Sequence, residues 1–174
     1  MPNDDELERA QEEERPGPSG LESVLVSERL TDAVSKPPLI LEADANVAQA
    51  IRLMQKESRG CVLLVSGGKL TGIFTERDVL LKIAGHPIDV EREKVSDYMT
   101  RDPVALPADS NVAFALNRMV AEGFRHIPLV DDEGRPTAVV SMRELIEYLT
   151  DFFRKDILTL PPDPRAAFRS REGG

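Results

Sequence analysis

Tryptophan is absent from this chain of 174 residues, and six phenylalanines and two tyrosines are its whole aromatic complement. With 41% apolar residues a core is expected all the same, packed mainly from aliphatic side chains. A single cysteine, Cys61, excludes an intrachain disulfide framework. Cys61 and the only two histidines, His86 and His126, show no metal-ligand spacing, so no zinc site is expected. The sequence has no signal peptide and no apolar run long enough to span a bilayer, so a cytoplasmic chain without membrane contact is expected. Basic residues are also scarce, 22 against 31 acids, for a formal net charge of −9. Seven of those acids lie in residues 1 to 20, yet the remainder is still acidic. Direct nucleic-acid binding needs a basic face from which counterions are released, and is disfavoured here. Catalysis lacks support too: there is no nucleophile beside a histidine in a recognisable motif and no G-x-x-x-x-G-K-[ST] loop. A binding module is the expected class, not an enzyme.

What the chain does have is a repeat. At a shift of 65, Pro38 falls on Pro103, Leu41 on Leu106, Asn46-Val47-Ala48 on Asn111-Val112-Ala113, Met54 on Met119 and Leu64-Val65 on Leu129-Val130. Twelve of the 28 positions from 38 to 65 are identical to their partners. One extra residue near Asp132 raises the shift to 66, so that Thr75 faces Ser141 and Asp78 faces Glu144. Two copies of one supersecondary unit are expected to pack on each other.

Each copy reads β-α-β-β-α. In the first, Leu39 to Leu41 forms a strand, and Asp44 can cap a helix with Val47, Ala50, Ile51 and Met54 inward at i, i+3, i+4, i+7. Cys61 to Val65 is an apolar strand, Gly67-Gly68 a hairpin turn, Leu70 to Phe74 the return strand, and Thr75 to Ile83 a helix ended by Gly85. The second copy repeats this with strands at Val104 to Leu106, Ile127 to Val130 and Thr137 to Val140, and helices from Asp109 and Ser141. The Met54 and Met119 stripe is read as core. Residues 1–20 are expected to be a disordered acidic tail. Residues 21–94 are assigned to a short docking helix from Leu21 plus repeat 1, 95–153 to repeat 2, and 154–174 to an irregular tail rich in proline.

Two stretches differ from plain scaffold: Gly72-Ile73-Phe74-Thr75-Glu76-Arg77-Asp78 and Gly123-Phe124-Arg125-His126-Ile127-Pro128-Leu129-Val130-Asp131. Thr75 and Asp78 stand at a strand-to-helix junction, where unpaired N–H groups favour an anion. The alternative is a capping box, which prefers Glu or Gln three residues after the cap. Ser141 with Glu144 fits that preference, and Thr75 with Asp78 fits it less well. Arg125 opens a strand expected to be buried, so it must reach solvent, pair with an acid or hold an anion. Arg77 is expected to pair with neighbouring acids. Pro128 cannot donate to a sheet ladder and suits an edge strand or a cavity wall.

On these two stretches and the doubled order, residues 30 to 150 resemble the CBS-domain family, whose tandem pairs form the Bateman module. The resemblance implies an α/β fold of two β-α-β-β-α repeats packed about a pseudo-twofold axis, assembled as a homodimer, that reports to a partner protein. It implies no cofactor, but a regulatory adenine-containing ligand (AMP, ADP, ATP, S-adenosylmethionine or an NAD-like molecule) between the repeats. The implied site is Thr75, Asp78, Arg125, His126, Ile127 and Pro128, with Asp78 on the ribose and Arg125 and His126 on phosphate. The mirror site is expected to offer Ser141 and Glu144 with only Gly60 and Cys61, and so to lack a cation. A ligand-free structural or dimerisation adaptor is the alternative.

Overall fold

The computed structural model describes residue 25 and residues 27–34 and 36–152. The expected tails, 1–20 and 154–174, and most of the helix expected from Leu21, lie outside the described residues. After a short helix α1 (Leu30–Ala33), the first repeat runs β1 (Ile40–Glu42), α2 (Val47–Glu57), β2 (Cys61–Ser66), β3 (Lys69–Thr75) and α3 (Glu76–Asp78). The last of these continues as a π turn, Val79–Ile83. A 3-10 turn (Val95–Asp97) and β4 (Thr100–Arg101) lead to the second repeat: β5 (Leu106–Pro107), α4 (Val112–Glu122), β6 (His126–Val130), β7 (Pro136–Ser141) and α5 (Met142–Phe152). One sheet has the order β1-β2-β3-β4 and the other β5-β6-β7. The β-α-β-β-α order is therefore present twice.

The first long helix of each repeat begins two residues later than expected. Asn46, not Asp44, caps α2: its Oδ1 accepts from Gln49 N at 2.8 Å while Asn46 N donates to Gln49 Oε1 at 2.9 Å. Asn111, not Asp109, caps α4 with one bond alone, its side chain accepting from Phe114 N at 2.8 Å. In repeat 1 the chain is still turning before the cap, with Ala45 N bonded to Glu42 O, so Asp44 lies ahead of the first helical residue.

Pro128 departs from expectation as well. It lies in β6, the middle strand of its sheet, paired with Val139 of β7. Its counterpart Leu63 donates its N–H to Leu39 O at 2.8 Å and pairs with Ile40 of β1. Proline has no such donor. On the β5 side, pairing starts one residue later, at Leu129, and β5 is two residues long where β1 has three.

Each repeat is completed by the segment that precedes the other. Leu30, ahead of repeat 1, is fully buried with Leu106, Val112, Met119 and Leu145 of repeat 2. Val95, ahead of repeat 2, is fully buried with Val47, Met54, Leu64 and Phe74 of repeat 1. The backbone bonds correspond pair by pair. Leu30 N donates to Ser110 O at 2.9 Å and Val112 N to Glu28 O at 3.0 Å; Val95 N donates to Ala45 O at 2.9 Å and Val47 N to Glu93 O at 3.0 Å. Met99, on the second arm, lies so close over Gly72 that an added Cβ would come within 2.2 Å of its sulfur, which is why β3 carries glycine there. Met54 and Met119 are buried in the two cores, as the spacing predicts. A third cluster, Cys61, Leu63, Ile73 and Val139, joins the two sheets.

Candidate functional site

The two strand-to-helix junctions face each other across this sheet contact, and each opens a cleft. The first, of about 390 Å³, brings together Thr75, Asp78, Arg125 and His126. Its apolar wall is formed by Ile73, Pro103, Val104 and Phe124. The second, of about 570 Å³, brings together Ser141, Glu144, Arg59 and Cys61. Gly60, Glu76, Arg125 and His126 line both, so they form the partition between the clefts. A methyl group on Gly60 would lie 3.2 Å from His126 Nε2 and 3.3 Å from a Glu76 carboxylate oxygen, so the absence of a side chain there lets both groups close over the backbone.

At the first junction Thr75 N donates to Asp78 Oδ2 at 2.9 Å, Thr75 Oγ1 to the same oxygen at 2.7 Å, and Asp78 N to Thr75 Oγ1 at 3.3 Å. Asp78 is buried, at 8% exposure, and its other oxygen takes Lys82 Nζ at 2.7 Å. The lysine also donates to Tyr98 O at 2.6 Å. At the second junction Ser141 N and Oγ donate to Glu144 Oε2 at 2.9 and 2.7 Å, and Glu144 N to Ser141 Oγ at 3.2 Å. The expectation that Thr75 and Asp78 fit a capping box less well is therefore corrected. Burying Asp78 at this junction lets the shorter acid reach back as Glu144 does. The first helical N–H of each junction is also engaged, Glu76 N by Gly60 O at 3.0 Å and Met142 N by Arg125 O at 2.9 Å. Because α3 has a single turn before the π segment, the helix-dipole argument for an anion belongs to the eleven-residue α5 more than to Thr75.

Arg125 is exposed and makes no ion pair among the described residues, so of its three alternatives the pairing with an acid is not formed there. Arg77 also lacks an acidic partner among them and donates to Gly123 O at 3.4 Å. His126 is pushed below its ordinary value, first by burial and then by the Arg125 guanidinium, with Glu144 and Glu76 opposing. Burial pushes the Cys61 thiol up to about 12, which leaves it a poor nucleophile. Among the described residues no cluster of His, Cys, Asp and Glu could hold a metal, and no helix is long and apolar enough to cross a membrane.

The family model for the CBS domain matches residues 30–85 and 95–151. The chain belongs to the CBS-domain family. An uncharacterized 17.7 kDa protein of Acidianus ambivalens is 32% identical to this CBS pair over 113 residues, 64% of this chain and 67% of the other. The inosine-5'-monophosphate dehydrogenase of Methanocaldococcus jannaschii is 32% identical over 117 residues, 67% of this chain. The CBS pair spans only 22% of that dehydrogenase, and 16% of the meiotically up-regulated gene 70 protein of Schizosaccharomyces pombe. Among solved structures, the CBS domain protein PAE2072 from Pyrobaculum aerophilum, complexed with AMP, aligns with a TM-score of 0.63 at 20% identity, covering 71% of this chain and 99% of that one. The CBS domain pair of protein MJ0100, in complex with 5'-methylthioadenosine and S-adenosyl-L-methionine, aligns with a TM-score of 0.64 at 22% identity, covering 71% and 97%.

Within the CBS pair, two expected site residues stand apart from the clefts. Ile127 is fully buried in the repeat 2 core and Pro128 is buried between strands. Asp102 lines the first cleft and went unnoticed, although its place before Pro103 is a turn signal; it adopts φ 43° there. The larger correction concerns the mirror cleft, which does not lack cations. Arg59, Lys36 and Arg143 line it, together with Arg125. Matching Arg125 to Gly60 position by position hides Arg59, which enters from the preceding residue, and hides that Arg125 serves both clefts.

Proposed function

We propose that this CBS pair is a regulatory ligand-sensing module that takes an adenine-containing molecule between its repeats and passes its occupancy to a partner protein. The observation that carries this reading is the first cleft, where a buried carboxylate, Asp78, meets an apolar wall and the Arg125 and His126 pair in a space of about 390 Å³. Cavities of this size with few convergent polar groups suit small ligands. The apolar wall fits a flat base. Oδ1 of Asp78, bonded only to Lys82 among the described residues, has a lone pair left for a ribose hydroxyl. The ligands named for PAE2072 and MJ0100 are of the same chemical class.

Calorimetric titration with AMP, ATP, S-adenosylmethionine and NAD tests the reading. At a hundredfold excess over its dissociation constant a true ligand stabilises the fold by about 2.7 kcal/mol, and for a ligand seated in the Thr75 cleft Asp78→Asn should remove most of that gain. The complete capping box at Thr75 supports a second reading, a ligand-free structural or dimerisation adaptor, which holds if no adenine ligand binds. The reading also includes a homodimer. Leu80 and Ile146 occupy equivalent positions in the two repeats and are 68% and 55% exposed, apolar surface left open in both copies. A chain that sediments as a monomer would remove this part.

A further inference from the structure

We infer that the two clefts are sorted by charge: the Thr75 cleft takes an adenosine derivative without phosphate, and the Ser141 cleft takes a nucleoside phosphate. This rests on the ligand-sensing reading above and deepens it. The argument comes from two pairs of equivalent positions. Where the first cleft has Phe124, the second has Arg59, and Asp102, which lines the first cleft, has the uncharged Pro37 as its counterpart. Both exchanges make the second cleft more positive, whereas Glu76 lines both and does not discriminate.

Pairing within the chain sharpens the contrast. Among the carboxylates of the first cleft, Asp78 is held by Lys82 at 2.7 Å and Glu122 by Arg118 at 2.7 Å. That leaves Glu76 and Asp102 against Arg77 and Arg125, a balanced lining with no cation to spare. In the second cleft Arg143 is held by Glu147 at 2.8 Å, but Lys36, Arg59 and Arg125 have no acidic partner among the described residues, against Glu76 and the capping Glu144. Arg59 donates only to Pro37 O, at 3.3 Å. A phosphate entering the first cleft would meet two carboxylates matched by two cations, with no net positive charge to hold it. In the second it would meet three cations against two carboxylates, beside the N-terminus of α5, where the dipole adds to the attraction. Arg125 lies on the partition and does not discriminate. The position occupied by Phe124 in one repeat and Arg59 in the other sets the preference.

Titration of the full chain with AMP and, separately, with 5'-methylthioadenosine tests this. Each should bind at one equivalent per chain, and saturation with one should leave the other's affinity unchanged. Arg59→Ala should weaken AMP about tenfold or more, leave methylthioadenosine unchanged, and be partly rescued by Arg59→Lys. Phe124→Ala should weaken only methylthioadenosine, and added salt should weaken only AMP. Competition of the two ligands for one cleft, or normal AMP binding by Arg59→Ala, overturns the sorting alone. Binding of neither ligand overturns the functional reading and the sorting with it.

Discussion

Repeat 1 and repeat 2 share a backbone plan down to single hydrogen bonds, yet the ground around their two junctions differs. Thr75 with Asp78 and Ser141 with Glu144 close the same reciprocal cap at nearly the same distances. One turn on, the first helix offers Lys82, which pairs with Asp78, while the second offers Tyr148, whose hydroxyl donates to Glu28 on the arm. Groups that satisfy backbone donors are held alike in both copies because an unmet donor costs free energy wherever it is buried. Side chains that only face the clefts, such as Phe124 and Arg59, carry no such duty and have diverged. A duplicated fold thus separates its two sites at the positions the backbone does not need.

The largest effect should come from breaking the correspondence of the arms. Leu30→Ala should cost about 2–5 kcal/mol, as for a fully buried leucine, and lower the melting temperature of the whole chain although Leu30 lies outside repeat 2 in sequence. A melting temperature equal to the parent's would show that the arm is not part of that core. Val95→Ala should act in the same direction with a smaller drop, since it removes fewer atoms.

A smaller effect should separate the two caps. Lys82→Met removes the ion pair of Asp78 while keeping the aliphatic stem. Because the lysine side chain is 39% exposed, solvent screening limits the loss to about 1 kcal/mol. Denaturant unfolding of this variant beside Tyr148→Phe measures the two braces. A Lys82→Met chain as stable as the parent would show that Thr75 alone holds the carboxylate.

The smallest effect is a pH dependence on the partition. His126 has a folded pKa below its ordinary 6.5, so the unfolded chain binds the proton more readily. The stability carried by the neutral ring is present above pH 6.5 and is lost as pH falls toward the folded value. Arg125 and Arg59 favour the neutral ring and Glu76 and Glu144 oppose it. Replacing His126 with Gln should flatten the stability profile just below pH 6.5; an unchanged slope would assign it to other groups.

The repeat order was legible because apolar spacing and the doubled Asn-Val-Ala mark each helix, and the structure follows both. The site was legible as far as Thr75, Asp78, Arg125 and His126 sharing one cleft. The crossing of the arms was not, because Leu30 and Val95 are apolar residues that could pack on either repeat, and only through-space docking decides. Nor was the middle-strand place of Pro128, since the neighbouring strand simply starts one residue later. The cations of the second cleft were missed for a third reason: side chains from flanking positions converge there, which a position-by-position match does not describe.

The crossed arms tie the two repeats together even without a continuous chain. A single cut in the Gly85-His86-Pro87 loop would leave one piece holding Leu30 in the other's core and the second holding Val95 in the first's. Each fragment would clasp its neighbour by a reciprocal anchor, so a nicked molecule is expected to migrate intact under native conditions and to separate only when unfolded. The anchors, not the linker, bear the grip.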